Sequence, residues 1–346
     1  MGVDLKGITP KVKIGYDELS GKTLAVDTYN ALYQFLSIIR GATGEPLADR
    51  QGRVTSHLTG LFYRSINMME RGIKLVYVFD GKPPDVKNTE LKKRERIKEV
   101  AREKYGEALK KGELEKAKTY AQMTSKLDKE MVDDAKRLLN AMGIPWAQAP
   151  SEGEAQAAFM VEKNDLWAVA SQDYDSLLFG APRFIRNLTI SGRRKLPRKN
   201  VYIEIQPEII ELKNMLSELN ITREQLIDVA ILLGTDFNPG IKGIGPKTAL
   251  KLIKENRSLE EVIPKLKNID NVEGLIDIRN IFLNPNVSSD YKIEWKDPNS
   301  QEIRNFLCKE RDFSEERVKN AIVRMEDSID KIKTTRTLDS FFRQDS

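Results

Sequence analysis

Acidic residues follow the apolar runs of this chain at the points where those runs end. The runs occupy residues 23–26, 75–79 and 166–170, and the acids that follow them are Asp27, Asp80 and Asp173. Each run is rich in β-branched and apolar residues and is typical of a buried parallel strand. Because the carboxyl ends of parallel strands meet at one edge of an open sheet, acids on separate strands can converge there. The pattern predicts an α/β fold with a central, mostly parallel sheet flanked by helices.

The complete acidic set has the composition of a site for hard metal ions. Its members are Asp27, Asp80, Glu152, Glu154, Asp173, Asp175 and Asp236. Carboxylate oxygens suit Mg²⁺ or Mn²⁺, and with one histidine, His57, and one cysteine, Cys308, a site rich in zinc ligands is excluded. Since these acids exceed what one Mg²⁺ can use, they predict two ions about 3.5–4 Å apart, as in nucleases and phosphatases. The alternative is that acids at loop ends only keep the rim soluble.

Composition restricts the class of protein further. The 346 residues carry a net charge of +5 and a pI near 8.9, which is mildly basic. A single cysteine argues against a disulfide framework, and no apolar run approaches the roughly 18 residues of a membrane span. Nothing near residue 1 resembles a signal peptide. We expect a soluble intracellular protein, cytoplasmic in a prokaryote or nuclear in a eukaryote.

A basic stretch begins two residues after Asp80. Residues 82–118 hold 13 Lys and Arg against 8 Asp and Glu, with few aromatic or β-branched residues, which predicts long helices that bury little core. Such helices could simply be solvated, but beside an acidic site they could also grip a polyanion. Lys87 and Arg94 are seven apart, so on a helix both would share one face and could neutralise charge on a scissile phosphate. Gly106 and Gly112 are expected hinges.

A glycine-rich turn follows Asp236. The sequence at 232–251 predicts a helix, a turn and a second helix, with Pro246 near the first position of the second helix. Free backbone N–H groups at such a helix start can bind a phosphate of a duplex backbone without reading its sequence. The side chains that add charge there are Lys242, Lys247 and Lys251. A glycine turn without a ligand is the alternative.

Five motifs resemble those of the flap endonuclease family, and they recur in the family's order. They are VDLKG at 3–7, VFDGKPP at 78–84, APSEGEAQ at 149–156, SQDYDSLL at 171–178, and LLGTD at 232–236 followed by GIGPK at 243–247. The resemblance implies a PIN-like fold with an inserted helical arch and a helix-two-turn-helix. It also implies a structure-specific nuclease and 5′-3′ exonuclease that removes 5′ flaps in lagging-strand replication and base-excision repair.

The resemblance implies roles for individual residues. The seven acids become a two-metal cluster for Mg²⁺, with Mn²⁺ as a substitute, and Glu152 also lies against DNA. Lys87 and Arg94 become catalytic cations at the base of the arch. Tyr33 matches an aromatic that stacks a base, and Arg40 and Arg64 match phosphate contacts. The residues implied to grip the downstream duplex, often with a monovalent cation, are Lys242, Gly243, Gly245, Lys247 and Lys251.

The resemblance also divides the chain into regions. They are an N-terminal nuclease region at 1–98, the arch at 82–130, an internal nuclease region at 116–258 with the helix-two-turn-helix at 226–256, a C-terminal helical part at 259–330, and a tail at 331–346. In the tail, Leu338, Phe341 and Phe342 can form an apolar plug that resembles a motif for binding a DNA sliding clamp. Thr335 replaces the usual glutamine, and the two Phe could instead fold back on the body.

The predicted reaction is metal-assisted hydrolysis that yields a 5′-phosphate and a 3′-hydroxyl, performed by a monomer on branched DNA. Two alternatives stay open. One is a related excision or gap nuclease, although the excision enzymes carry hundreds of residues between the acids that match Asp80 and Glu152, where this chain has 71. A non-catalytic, clamp-tethered junction-binding protein would be expected to lack some of the acids.

Overall fold

The structure of the chain is a computed structural model that describes residues 2–10, 12–42, 44–188, 192–195, 202–266 and 272–342. For 85, 88–93, 192–195, 202–204, 272–273 and 332–342, the backbone alone is described. The strands are β1 (Val12–Lys13), β2 (Thr23–Asp27), β3 (Lys74–Phe79), β4 (Trp146–Gln148), β5 (Ala168–Ala170), β6 (Arg183–Arg186), β7 (Gly192–Lys195), β8 (Tyr202–Ile205) and β9 (Glu208–Glu211).

Helices make up most of the remaining regular structure. They are α1 (Tyr16–Leu19), α2 (Thr28–Ile38), α3 (Ser56–Met69), α4 (Asn88–Lys110), α5 (Leu114–Met123), α6 (Lys129–Met142), α7 (Gly153–Glu162), α8 (Asp175–Leu178), α9 (Leu212–Leu219), α10 (Arg223–Leu233), α11 (Pro246–Asn256), α12 (Leu259–Val262), α13 (Val272–Leu283), α14 (Ser300–Arg304) and α15 (Glu315–Phe342). Short 3₁₀ turns lie at Asp85–Lys87 and Ile263–Lys265, and a π-helical stretch lies at Asn305–Glu310.

A seven-stranded sheet in the order β1-β9-β6-β5-β2-β3-β4 forms the centre. The five strands from β6 to β4 are mutually parallel, and β9 joins β6 antiparallel, as β1 joins β9. Strands β2 and β3 pair from Thr23 with Lys74 through Asp27 with Val78, so their carboxyl ends finish side by side. The α/β fold predicted from the strand runs is therefore confirmed.

Both faces of the sheet are covered by helices. On one face, buried side chains of β2, β3 and β5 such as Ala25, Val76 and Val169 pack with α7 to α13. On the other, Val26 and Tyr77 pack with α2, α3, α6, α14 and α15. Strands that are buried on both faces explain the nearly continuous apolar runs in the sequence.

Helices α4 and α5 form the predicted arch, an antiparallel pair joined by a turn at Gly112, where φ is 69°. Ala101 and Ala108 of α4 and Ala117 of α5 are buried. Gly106, the other predicted hinge, lies inside α4, and its role as a hinge stays a prediction. The shared helix face for Lys87 and Arg94 is wrong, because Lys87 ends the 3₁₀ turn before α4 begins.

Residues 284–299, here called the strap, connect α13 to α14 without forming helix or strand. The strap crosses the end of the sheet at which the parallel strands begin. Trp295 Nε1 donates to the carbonyl of Leu75 in β3 at 3.1 Å, and the Lys296 N–H donates to the carbonyl of Gly143 before β4 at 3.0 Å. The strap therefore ties the chain that follows α13 to the end of the sheet at which β3 and β4 begin. Within the described residues, no helix is long and apolar enough to cross a membrane.

Candidate metal centre and nucleic-acid interface

The predicted acids lie at the carboxyl edge of the parallel strands. Asp27 is the last residue of β2, Asp80 directly follows β3, and Glu152 and Glu154 stand at the start of α7. Asp173 lies between β5 and α8, and Asp175 is the first residue of α8. Asp236 lies in the loop after α10. Asp27, Glu152 and Asp175 are buried, and the others are half-buried. The structure therefore brings the predicted acids of separate strands to one edge.

Asn30 and Ser171 connect two of these acids, and the sequence reasoning missed both. Asn30 donates from its backbone to Asp27 Oδ1 at 3.1 Å and from its side chain Nδ2 to Asp173 Oδ2 at 2.8 Å. Ser171 Oγ donates to Asp27 Oδ2 at 2.9 Å and accepts from the Asp173 N–H at 3.2 Å. The available signal was their position, one turn after a strand-end acid and two residues before another.

Backbone N–H groups hold two further acids. The Gly153 N–H donates to Asp80 Oδ1 at 2.7 Å, which ties the end of β3 to the first turn of α7. A Cβ on Gly153 would lie 2.5 Å from the same oxygen, so only glycine allows this approach. The Val3 N–H donates to Asp175 Oδ1 at 2.8 Å. These donors fix the rotation of the carboxylates that they bind.

Two cations of the arch reach into the acidic cluster. Lys87 Nζ lies 2.7 Å from Glu152 Oε2 and 3.5 Å from Asp236 Oδ2, and its side chain is 12% exposed. Arg94 Nη2 donates to Asp236 Oδ1. Although burial opposes it, the carboxylates of Glu152 and Asp236 raise the pKa of Lys87 above its ordinary value. Both predicted catalytic cations therefore lie against predicted metal ligands.

Burial and mutual repulsion perturb the carboxyl groups. Burial and the charge of Asp80 raise the pKa of Asp27 to about 8, and burial and Glu152 raise the pKa of Asp80 to about 6. Burial and Asp236 raise the pKa of Asp175 to about 7. For Asp236, burial acts upward, but neighbouring positive charges that include Lys87 and Arg94 lower its pKa to about 2.

Glu154 is the strongest sign that the cluster needs a further cation. Burial and the charges of Asp175 and Asp27 raise the pKa of this carboxyl well above its ordinary value. Its Oε1 is buried and accepts no hydrogen bond from any described residue. A buried carboxylate oxygen that lacks a donor is costly unless a cation or proton compensates it.

The donor set fits a hard cation. It consists of carboxylate oxygens, the ligands preferred by Mg²⁺ and Mn²⁺. As the side chains stand, however, no three acidic, histidine or cysteine groups in the described ranges are arranged to hold a metal ion. Lys87 and Arg94 instead neutralise part of the negative charge. We conclude that the residues fit divalent ions in composition and burial, with arch cations now on two of the acids.

The predicted DNA contacts beside the cluster differ in how they are engaged. Lys98 Nζ of the arch lies 5.0 Å from the ring centroid of half-buried Tyr33. The Arg40 guanidinium donates to the carbonyls of Leu36 and Gly44 and to Ser125 Oγ at 2.7–2.9 Å, so it already stabilises the protein. The Arg64 guanidinium lies 5.3 Å from the ring centroid of Phe35, and the residue is half-buried.

The predicted helix-turn-helix is confirmed as an element. Helix α11 begins at Pro246 with Gly245 as its N-cap, and Gly243 has a φ of 88°. Lys242, Lys247 and Lys251 are exposed, and Lys251 lies 3.7 Å from Glu255 one turn later. The same loop begins with Asp236, so one turn joins the acidic cluster to the exposed lysines.

Two other candidates from the sequence are placed as follows. His57, the single histidine of the sequence, is fully buried in α3. The backbone of α15 continues through the tail to Phe342. The side chains of Leu338, Phe341 and Phe342 lie outside the described ones, so their role in clamp binding stays a prediction.

Comparisons with known proteins agree with this architecture. The XPG N-terminal domain family matches residues 4–101, and the XPG I-region family matches residues 143–236. The chain is 60% identical to Flap endonuclease 1 of Staphylothermus marinus over 94% of both chains. It is 54% identical to Flap endonuclease 1 of Pyrococcus furiosus over 99% of this chain and 100% of that one.

Solved structures agree at the level of the fold. Flap endonuclease-1 from Methanococcus jannaschii, at 41% identity, superposes with a TM-score of 0.74 over 95% of this chain and 99% of that one. The catalytic core of Rad2 in complex with a DNA substrate shares the fold at 23% identity, with a TM-score of 0.68 over 93% and 97% of the two chains. From its sequence, its sheet and its arch, the chain belongs to the flap endonuclease 1 family of structure-specific nucleases.

Proposed function

We propose that this flap endonuclease hydrolyses the phosphodiester bond at the base of a 5′ DNA flap, in DNA replication and repair, using divalent ions held by its acidic cluster. The observation that carries the proposal is the buried Oε1 of Glu154, which accepts no hydrogen bond from any described residue. It belongs to a cluster of carboxyls with raised pKa values, and two arch cations pair with acids of the same cluster. The names of the relatives and the oxygen-only donor set support it.

The ions would be two Mg²⁺, which Mn²⁺ could replace. Their ligands would be Asp27, Asp80, Glu152, Glu154, Asp173, Asp175 and Asp236, some of them through water. When bound, such ions activate water and stabilise the attacking and leaving oxygens of a phosphodiester. Asn30, Ser171 and the Gly153 N–H would keep the carboxylates oriented while the charge around them changes.

Lys87 and Arg94 would act on the phosphate itself. Both cations now pair with Glu152 or Asp236, which are acids that metal ions would engage. Binding of metal and DNA would free the two cations to donate to the scissile phosphate and offset its developing charge. Tyr33 would stack a base once Lys98 leaves its ring, since aromatic rings hold single-stranded bases without sequence preference.

The exposed lysines of the α10–α11 turn would hold the duplex downstream of the flap. Contacts limited to phosphates carry no sequence information, so selectivity would come from the shape of the junction. The tail would attach the enzyme to a DNA sliding clamp through Leu338, Phe341 and Phe342, with Thr335 weakening the polar part of that contact. The enzyme itself would act as a monomer.

Cleavage assays test this proposal directly. A labelled 5′-flap duplex, a matching 3′-flap duplex and plain single strand are incubated with the protein in Mg²⁺ and in chelator. We expect Mg²⁺-dependent incision at the 5′-flap junction alone. Tight binding of the 5′ flap without incision in Mg²⁺ would instead support the junction-binding alternative.

A double substitution tests the acids. Asp173→Ala with Asp175→Ala should abolish cleavage while binding of the flap duplex, followed by fluorescence anisotropy in chelator, stays within about threefold. The matched control is Asp17→Ala with Asp290→Ala, which removes two exposed acids in α1 and the strap and should cleave normally. If the active-site pair loses binding as fully as cleavage, these acids are structural and their assignment fails.

A further inference from the structure

The VDLKG motif near the start of the chain has no role in the proposed mechanism, yet it touches the acidic cluster. The Val3 N–H donates to Asp175 Oδ1 across 172 positions of sequence. Val3 is 3% exposed and Leu5 is 0% exposed, both within the core cluster that includes Leu177 of α8. The carbonyl of Leu5 closes a turn by accepting from the N–H groups of Ile8 and Thr9 at 3.0 Å. This segment is therefore anchored at its contact with Asp175 and again after it.

Gly2 approaches the cluster more closely than any other residue type could. A Cβ at this position would lie 2.7 Å from Asp175 Oδ1 and 2.8 Å from both Asp175 Cγ and Asp173 Cβ. Carbon atoms that are not bonded do not approach this closely, because their van der Waals contact distance is about 3.5–4.0 Å. Gly2 is absent from the positive-φ glycines of the described chain, so what requires glycine here is space rather than backbone conformation.

The opposite end of the segment lies at the duplex-binding turn. A Cβ on Gly7 would lie 3.3 Å from Cβ of Pro246, the first residue of α11. Residues 2–7 thus extend from the carboxylates of Asp173 and Asp175 to the start of the helix that carries Lys247. A Cβ at position 2 would therefore require the segment or the acids to shift.

From these contacts we infer that Gly2 and Val3 are positioning residues for Asp173 and Asp175. The Val3 N–H fixes the Asp175 carboxylate, and the bare Cα of Gly2 leaves the two acids the space they occupy. The inference rests on the proposed metal-binding role of these acids. Groups that orient metal ligands change metal affinity or activity by about 10–100-fold when altered, although they never touch the metal.

The test is a graded series at position 2 with a matched glycine control. Gly2→Ala adds one methyl group against the acids, and Gly2→Val adds more. Gly15→Ala is the control, because its Cβ would meet only the flexible end of Glu18 at 3.3 Å and its φ is −77°. Mn²⁺ binding to the DNA-free protein is followed by electron spin resonance of the free ion, beside the unfolding temperature and flap binding in chelator.

We expect Gly2→Ala to weaken Mn²⁺ binding about tenfold or more and Gly2→Val further, and to raise the Mg²⁺ concentration for half-maximal cleavage in parallel. Flap binding in chelator and the unfolding temperature should stay close to those of Gly15→Ala. Mn²⁺ binding equal to that of Gly15→Ala would overturn the inference, as would a loss of Mn²⁺ binding that only follows unfolding. Failure of the proposed function is distinct, since wild-type protein would then bind Mn²⁺ no better than Asp173→Ala with Asp175→Ala.

Discussion

Asn30 bonds two carboxylates with one residue, through its backbone N–H on Asp27 and its amide Nδ2 on Asp173. Its Oδ1 also accepts the Gln172 N–H at 3.3 Å, which settles which end of the amide faces Asp173. Carboxylates of equal charge repel each other, so in the absence of a cation such donors decide where each of them stands. Asn30 thus keeps the ends of β2 and β5 in register at the site.

Asn30→Ala should lower cleavage about 10–100-fold, because removal of a group that orients metal ligands costs that much. The loss should lessen as Mg²⁺ is raised, since the fault lies in the ligand positions. Single-turnover rates over a range of Mg²⁺ concentration measure this. Asn140→Ala, which removes a hydrogen bond to Trp146 Nε1 away from the acids, is the control. Equal rates for the two variants would show that Asn30 has no part in the site.

The acids could be predicted from the sequence, whereas their hydrogen-bond partners could not. Asp27 and Asp80 are visible because an apolar run stops at each of them. Asn30 stands 143 positions from Asp173, and Val3 stands 172 from Asp175, so no local pattern links them. The need for glycine at position 2 could not be predicted either, because it comes from close contact with Asp173 and Asp175 and not from a local turn.

At the scale of elements, one buried side chain joins the helix that carries Glu152 and Glu154 to the strap. Gln156 of α7 is 1% exposed. Its Nε2 donates to the Ser288 carbonyl and its Oε1 accepts the Ser288 N–H, both at 2.8 Å. The amide thus satisfies both backbone groups of Ser288, which has no neighbouring strand within the described residues to supply these hydrogen bonds.

Gln156→Ala should destabilise the protein by about 1–3 kcal/mol, because it leaves two backbone groups of half-buried Ser288 without these partners. Guanidinium-induced unfolding measures the change. Gln301→Ala provides the control, since it removes an exposed hydrogen bond to Asn305. A loss below about 0.5 kcal/mol would mean that water replaces the amide and that the strap does not depend on it.

The exposed lysines of the α10–α11 turn lead to a prediction about the salt dependence of DNA binding. Lys242, Lys247 and Lys251 are exposed, and each phosphate contact releases about 0.9 counterion. Replacing one of them with Ala should lower the slope of log affinity against log salt by about one, equally for duplexes of different sequence. Titrations of flap DNA at several salt concentrations, with exposed Lys163→Ala as control, measure this. An unchanged slope in all three variants would remove the turn from the DNA interface.

Local sequence predicted these elements unevenly. The turn was visible because Gly243, Gly245 and Pro246 have strong conformational preferences of their own. Strand β5 is shorter than the apolar run at 166–170 that predicted it, because it starts only at Ala168. Lys87 was assigned to a helix by its spacing from Arg94, but its N–H bonds to the Pro84 carbonyl in a 3₁₀ turn.

At the scale of the whole molecule, the proposed divalent ions would compete with protons for the cluster. The pKa values of Asp27, Asp175 and Asp80 are raised to about 8, 7 and 6, from 3.8 for an ordinary aspartate. A folded state with raised carboxyl pKa values binds more protons than the unfolded state, so without metal its stability falls as pH rises through this window. The proposed metal binding would displace these protons and would therefore strengthen as pH rises.

We expect the unfolding temperature in chelator to fall between about pH 6.5 and pH 8, and the increase caused by Mg²⁺ to grow over the same range. His57, whose pKa burial lowers to about 4 from 6.5, is neutral in the folded state and loses its proton in the unfolded state near pH 6.5, so it opposes the effect only at the lower end of this range. Differential scanning calorimetry at each pH gives both quantities, and Asp173→Ala with Asp175→Ala should reduce the Mg²⁺ increase. A Mg²⁺ effect independent of pH would contradict the proton competition.

The loop that starts at Asp236 and ends at Gly245 has a consequence for where the enzyme cuts. It is stiffened by the Thr235 N–H on the Asn238 carbonyl and by Asn238 Nδ2 on the Ile231 carbonyl, at 3.0 and 2.8 Å. If Lys247 binds a backbone phosphate of the duplex while Asp236 lies at the reacting phosphate, this loop sets a fixed distance between the two phosphates. The point of incision is then counted from the double-stranded side in whole nucleotides, and neither the length nor the sequence of the flap alters that count.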